Sequence, residues 1–335
     1  MISTIISLAW RLLTLFTLLF GASHYLDHLP TANSQLALIH HVPQIESMPM
    51  MPTQPPVHKN RAPIAPRMMP QNMPARPAVM PALPRIIVLA SNLPGPDDLL
   101  VAPDNSIYIS DVADGTVRQL FPNGMLRAVV GGLQEPEGMA LLPGGSLLIV
   151  EQAANRIVGF NLKAKTLSTF MTLNNPSGQM GVDGIALDGH NANQASIIIP
   201  DSPNNTLLRA SLDGMMVTKI ASGFARPTGA WVENNGNILV VDENGGALKR
   251  VRMDGKIDVL ATGFSLPDDV VEDKTGNIYV NSLGDNAVHE IAAGANRSII
   301  LATDLAGPQG LAIDTSGNLL VTEAGNHRLV KIILH

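Results

Sequence analysis

From Pro84 to the C-terminus one pattern recurs six times: a Pro-x-Gly-like corner, a short apolar strand, a Gly/Asn turn, and a second apolar strand that ends in an acid in five of the six copies. The copies are GPDDLLVAPDNSIYISD (95–111), EPEGMALLPGGSLLIVE (135–151), GVDGIALDGHNANQASIIIPD (181–201), RPTGAWVENNGNILVVD (226–242), LPDDVVEDKTGNIYVNS (266–282) and GPQGLAIDTSGNLLVTE (307–323). The residue after each corner falls at Asp97, Glu137, Asp183, Thr228, Asp268 and Gln309, in steps of 40, 46, 45, 40 and 41. A period near 40 with two strands visible and room for two more predicts the blades of a β-propeller. Each copy is preceded by a further short strand, as in LRAVVGGL, VTKIASGF, IDVLATGF and SIILATDL, and RIIVLASNL (85–93) has the same form. The C-terminal HRLVKIILH stops at what should be a third strand. The last blade is therefore expected to take its fourth strand from Arg85 to Ala90, paired with Leu329 to Ile332, which closes an all-β ring of six blades and removes its open edge.

Composition agrees. Charged residues are 15% and aromatics 4%, while 29 Gly and 25 Pro supply many turns. The absence of cysteine rules out a disulfide framework and a thiolate metal site. Six basic and two acidic residues precede Ile86, which leaves 16 basic and 26 acidic after it, a net charge of −10. So acidic a ring argues against nucleic acid as a partner.

Three segments are expected: 1–23, 24–84 and a propeller over 85–335. The first has one cation, Arg11, before the apolar run LLTLFTLLFGA, with Gly21, Ala22 and Ser23 offering small residues for cleavage. It reads either as a cleaved export signal or as an uncleaved anchor over 2–22. Both readings place the propeller outside the cytoplasm, periplasmic or anchored to the inner membrane, with the membrane touched only through this segment. A monomer is expected. The linker is Pro/Met-rich from about Pro43 to Pro84, and its prolines remove donors and forbid helix, leaving an extended spacer. Its methionines, with His40, His41 and His58, are soft ligands of the kind that suits Cu(I), but their loose, proline-broken spacing reads as a spacer.

GPQGLAIDTSGNLLVTEAGNHRLVKI and EPEGMALLPGGSLLIVEQAANRIVGF resemble NHL repeats and the related gluconolactonase-like propellers, which include senescence marker protein and luciferin-regenerating enzyme. The resemblance spans the chain from about Arg85 onward. It implies a six-bladed propeller. For the enzymes of that family it also implies a calcium or similar ion at one channel mouth, held by an early acid, middle-blade Asn residues and a late Pro-Asp-Gly Asp. On that pattern Asp97 or Asp98 stands for the early acid and Asp268 for the late one. The middle corners here carry Asp183 and Thr228 instead of Asn, and the late corner is Pro267-Asp268-Asp269.

Taken without the family, the corners should bring Asp97, Glu137, Asp183 and Asp268 to one mouth, with Thr228 and Gln309 completing the ring. Carboxylates held close raise one another's pKa unless something neutralises them. A divalent cation such as calcium, which accepts about 6–8 oxygens, is one answer, with Asp97, Asp183 and Asp268 as ligands. A wide, water-filled mouth is the other. With a metal, hydrolysis of a lactone or ester is the favoured reaction, and Asp183 or Asp268 would be the general base. Without one, the mouth binds a small molecule or a protein partner. His190, His289 and His327 are expected on the surface, and Asp111, Glu151, Asp201, Asp242 and Glu323 are expected to accept backbone hydrogen bonds from the next turn. The loop NNPSGQMG (174–181) leads into Asp183 and should overhang the mouth. Limited proteolysis with trypsin should cut first at Lys59, Arg61 or Arg67 and release an intact propeller. Protection of all three sites would contradict the three-part division.

Overall fold

A computed structural model describes residues 84–175, 178–189 and 195–334. The expected export segment and all of the linker but Pro84 lie outside them, as do residues 176–177 and His190. The described chain forms six four-stranded antiparallel sheets, the blades of a propeller. The closing blade has the order β1 (Arg85–Ser91), β24 (Arg328–Ile333), β23 (Leu319–Glu323), β22 (Pro308–Ile313), so the two ends of the ring meet in one sheet. Arg85 lies opposite Ile333 and Val88 opposite Val330, the pairing that the truncated last copy requires.

Each blade offers a second strand buried on both faces, such as IYISD over Ile107–Asp111 and ILVVD over Ile238–Asp242. Those aliphatic side chains pack between neighbouring blades rather than within one. Tyr108 and Val117 of the first blade, for example, share a cluster with Met139, Leu147 and Ile149 of the second. Six such clusters circle the axis, which explains how a chain with so few aromatics builds a core.

The acid that ends the second strand fixes the corner. Asp111 accepts the Gly95 N–H at 2.9 Å, Glu151 that of Gln134 at 2.8 Å, Asp242 those of Ala225 and Arg226 at 2.8 Å, and Glu323 that of Ala306 at 2.9 Å. Asp111 also accepts from the Asp114 backbone in the turn that follows it, the partner expected from the sequence; the loop that enters the acid's own blade is a further partner, because the first and second strands are antiparallel and Pro96 lies opposite Asp111. Each of these four carboxylates also meets a cation on the third strand: Arg118, Arg156, Lys249 or Arg328. In the fifth blade both partners change together. Ser282 replaces the acid, exchanging hydrogen bonds with the backbone of Ser265, and His289 takes the cation's register position. His289 is buried, against the expectation of a surface residue; it pairs with Asp285 at 2.9 Å and stands edge-on to Phe264. His327 is exposed, as expected.

The third blade is the irregular one. Its first strand, β10 (Ala186–Asp188), has three residues where β2 (Pro96–Val101) has six. Nothing in β10 lies opposite Pro200, so a proline is tolerated in what is elsewhere a fully paired strand. Its Asp201 has no third-strand cation and accepts instead from Asn204 Nδ2 at 2.9 Å.

Removing β1 strips β24 of a partner and takes away Leu89 and Ala90, which pack on the closing core. A chain beginning at Leu93 should melt at least about 5 °C below one beginning at Ala82, since each kcal/mol lost lowers the midpoint by roughly 2–4 °C in a domain of this size. Equal melting temperatures would contradict closure by β1.

Candidate functional site

Six innermost strands start at the corners and run along the axis, and the second residue of each corner sets how closely they approach. In four blades it is glycine: Gly138, Gly184, Gly229 and Gly310. A Cβ on Gly310 would lie 2.7 Å from Asp98 Cα, and one on Gly229 would lie 2.7 Å from the Asp268 carbonyl, so only glycine fits. In the other two blades the second residue is Asp98 or Asp269. Each carboxylate fills the axis and ties its strand to a neighbour. Asp98 accepts from the amides of Leu99 (2.7 Å) and Met139 (3.1 Å), and Asp269 from those of Val270 (2.8 Å) and Leu311 (2.9 Å).

Above this waist, Asp97, Asp183, Asp268 and Gln309 line a cavity of about 30 Å³ together with Asp98 and Asp269. That is roughly the share of liquid volume held by one water molecule. Four of the six corner residues singled out from the sequence thus come together. Glu137 and Thr228 do not line the cavity. Glu137 is buried, and Thr228, wholly buried, donates its hydroxyl to the Asp268 carbonyl at 2.8 Å, so it joins the fourth blade to the fifth.

The acids meet an internal cation that the sequence reading had not weighed. Arg226 Nη2 lies 2.9 Å from Asp183 Oδ2, its Nε donates to Glu243, and Gln152 Nε2 donates to the same Asp183 oxygen at 2.9 Å. Burial works against the Arg226 charge, but Asp183 and Glu243 more than offset it and hold its pKa above the usual value. Asp97 Oδ2 accepts from Gln309 Nε2 at 3.0 Å. The loop ahead of Asp183 stands at this mouth as expected: the Met180 carbonyl is 3.5 Å from Arg226 Nη1, and Asn204 and Asn155 hold the loop at the Asn174 carbonyl and the Val182 amide.

The remaining acids are pushed toward their protonated forms. Burial, then Asp183 and Asp97, raise Asp268 well above the usual carboxylate range. Burial and Asp269 do the same to Asp98. Burial lifts Asp269 to about 7, against the two amide hydrogen bonds that favour its ionised form.

This donor set does not fit a calcium ion. The Arg226 guanidinium stands beside Asp183 where a cation would sit, and among the described residues no three His, Asp or Glu side chains gather as metal ligands. Gln309 Oε1 is the buried acceptor of the mouth left without a partner.

The signals for the missed residues were in the repeat itself. The residue before the corner proline is Gly95, Glu135, Arg226, Leu266 or Gly307, so Arg226 is the one cation at that position; Asp98 and Asp269 are the two departures from glycine at the second corner position.

The NHL repeat model matches residues 305–332, in the closing blade. The fold is similar to that of a gluconolactonase from Xanthomonas campestris, at 14% identity with 75% of this chain and 90% of that one covered and a TM-score of 0.62. It is similar to virginiamycin B lyase from Staphylococcus aureus, at 15% identity, 75% and 99% coverage and a TM-score of 0.58. It is also similar to a chain of the nidogen/laminin complex, at 18% identity, 63% and 82% coverage and a TM-score of 0.55. No curated protein matches the sequence. The chain is thus a six-bladed propeller that carries an NHL repeat in its closing blade, on a fold similar to that of enzymes and of a chain in a protein complex.

A carboxyl with a raised folded pKa stabilises the fold fully below its unfolded value, near 4, and loses that contribution as pH rises through its folded value. Asp269→Asn removes the penalty of ionising this group but misplaces an amide donor against a backbone N–H. Its melting temperature relative to the parent should therefore rise from pH 5 to about pH 7 and level off above it. A difference independent of pH would mean that Asp269 titrates as an ordinary carboxylate.

Proposed function

We propose that this chain is an extracytoplasmic binding propeller whose channel mouth recognises a partner or ligand without a metal. The carrying observation is that Arg226 already neutralises Asp183, in the position where a metal-dependent site would need free ligands. The size of the mouth supports the same reading. A cavity of about 30 Å³ admits one protruding hydroxyl or ammonium group, whereas small-molecule sites usually measure about 300–1,000 Å³. Asp268, Asp97 and Gln309 then contact that group, and the loop ending at Met180 borders it. Location outside the cytoplasm rests on the apolar segment and Pro/Met-rich linker of the sequence.

A calcium-dependent lactonase or ester hydrolase is the second reading. It is favoured by the unpartnered Gln309 Oε1 close to Asp97, an acceptor suited to a cation. Calorimetric titration with calcium separates the two. The parent protein should show no site tighter than about 1 mM. Arg226→Gln, which releases Asp183 beside Asp97 and Asp268, should gain calcium affinity by at least about tenfold. A saturable calcium site in the parent, lost on Asp268→Asn and accompanied by lactone hydrolysis, would overturn the metal-free reading.

A further inference from the structure

Below the waist the channel widens. A cavity of about 420 Å³ runs along the innermost strands beyond the corners, within the range of small-molecule sites. Its width follows from the residue two places after the waist position in each blade: Leu100, Ala140, Ala186, Trp231, Val271 and Ala312, all of which line it. Three of these six are alanine, and the missing side chains leave the space that Leu or Val would fill. The wall is apolar apart from the axis-facing edges of the innermost strands, which have no further strand to pair with. At one end the cavity is bounded by Asp98 and Asp269, which line both this cavity and the mouth.

We propose that this lower chamber is a second binding site, distinct from the mouth, for a small amphipathic amine. Its apolar body lies against Trp231 and the alanines, and its ammonium group sits between the carboxylates of Asp98 and Asp269. Three observations select that chemistry over a neutral or anionic ligand. Each carboxylate oxygen accepts one backbone amide, so a second lone pair remains on each for a donor from the chamber. The charged groups facing the waist are Asp97 and Asp183, both acidic, while the nearby cation Arg226 is engaged by Asp183 and Glu243. An anion would therefore be repelled. Asp98 and Asp269 bound the same end of the chamber, where both attract an ammonium group.

Trp231 supplies the readout, since it and Trp10 are the chain's two tryptophans. The full chain is titrated with hexylammonium, hexanol and hexanoate, following tryptophan emission and, in parallel, calorimetric heat. Hexylammonium should shift the emission saturably and bind at least about tenfold tighter than hexanol, with hexanoate weaker than both. Trp231→Phe should abolish the optical signal and keep the heat. Asp98→Asn should weaken hexylammonium by about tenfold or more while hexanol is unchanged. Ala186→Leu, which fills the chamber without touching the carboxylates, should weaken all three probes. Asp183→Asn, at the mouth, should weaken hexylammonium far less than Asp98→Asn does, which separates this site from the function proposed for the mouth. Equal affinities for hexylammonium and hexanol, or no saturable signal by either method, would overturn the proposal. So would binding that Asp183→Asn removes and Ala186→Leu spares.

Discussion

The buried carboxylate at the end of a blade's second strand is the contact on which the corners depend. In four blades it receives the N–H of the loop that enters the same blade and is itself paired with a third-strand cation. A hydrogen bond to a charged group contributes about 1.5–3 kcal/mol, and removing one partner leaves a buried charge or amide unsatisfied. The contact therefore fixes where each innermost strand starts, and with it the height at which each corner side chain meets the axis. Where the acid is lost at Ser282, the cation is lost as well, and a serine hydroxyl takes over both sides of the exchange. The device persists although its chemistry changes, which identifies it as part of the fold rather than of a site.

With the corners fixed, the axis becomes a problem of charge and space. Four glycines allow close approach; Asp98 and Asp269 spend the remaining space on carboxylates that cross-link strands. This concentrates acids in a cavity scarcely larger than a water molecule, where low polarity strengthens their repulsion. The protein answers with Arg226 on one side and, on the other, with burial that pushes Asp98, Asp268 and Asp269 toward their protonated forms. The mouth is thus electrically settled by its own residues, and that is the physical reason to read it as a recognition surface.

The repeat made the fold legible, because its corner, turn and terminal acid recur in register and the chain breaks off one strand short of a blade. The closing pair, Arg85 opposite Ile333, followed from that count alone. The site was less legible. Asp97, Asp183, Asp268 and Gln309 were placed correctly because corner position determines axial position, whereas Thr228 and Glu137 occupy equivalent corners yet turn to other work. Which way a corner side chain turns depends on its neighbour blade, and that information lies some 40 residues away in the sequence, as with Thr228 and the Asp268 carbonyl. His289 was misread for the same reason: its burial is decided by Asp285 and Phe264, not by its own strand pattern.

The central claim is that the axial acids are balanced by Arg226 and by protons. Carbon-13 NMR of the aspartate carboxyls, followed from pH 4 to pH 9 with assignment by single Asn substitutions, tests it most directly. The account predicts that Asp269 titrates near 7, that Asp98 and Asp268 titrate well above an ordinary aspartate, and that millimolar calcium shifts none of them. Carboxyl groups that all titrate near 4, or that move together when calcium is added, would contradict it.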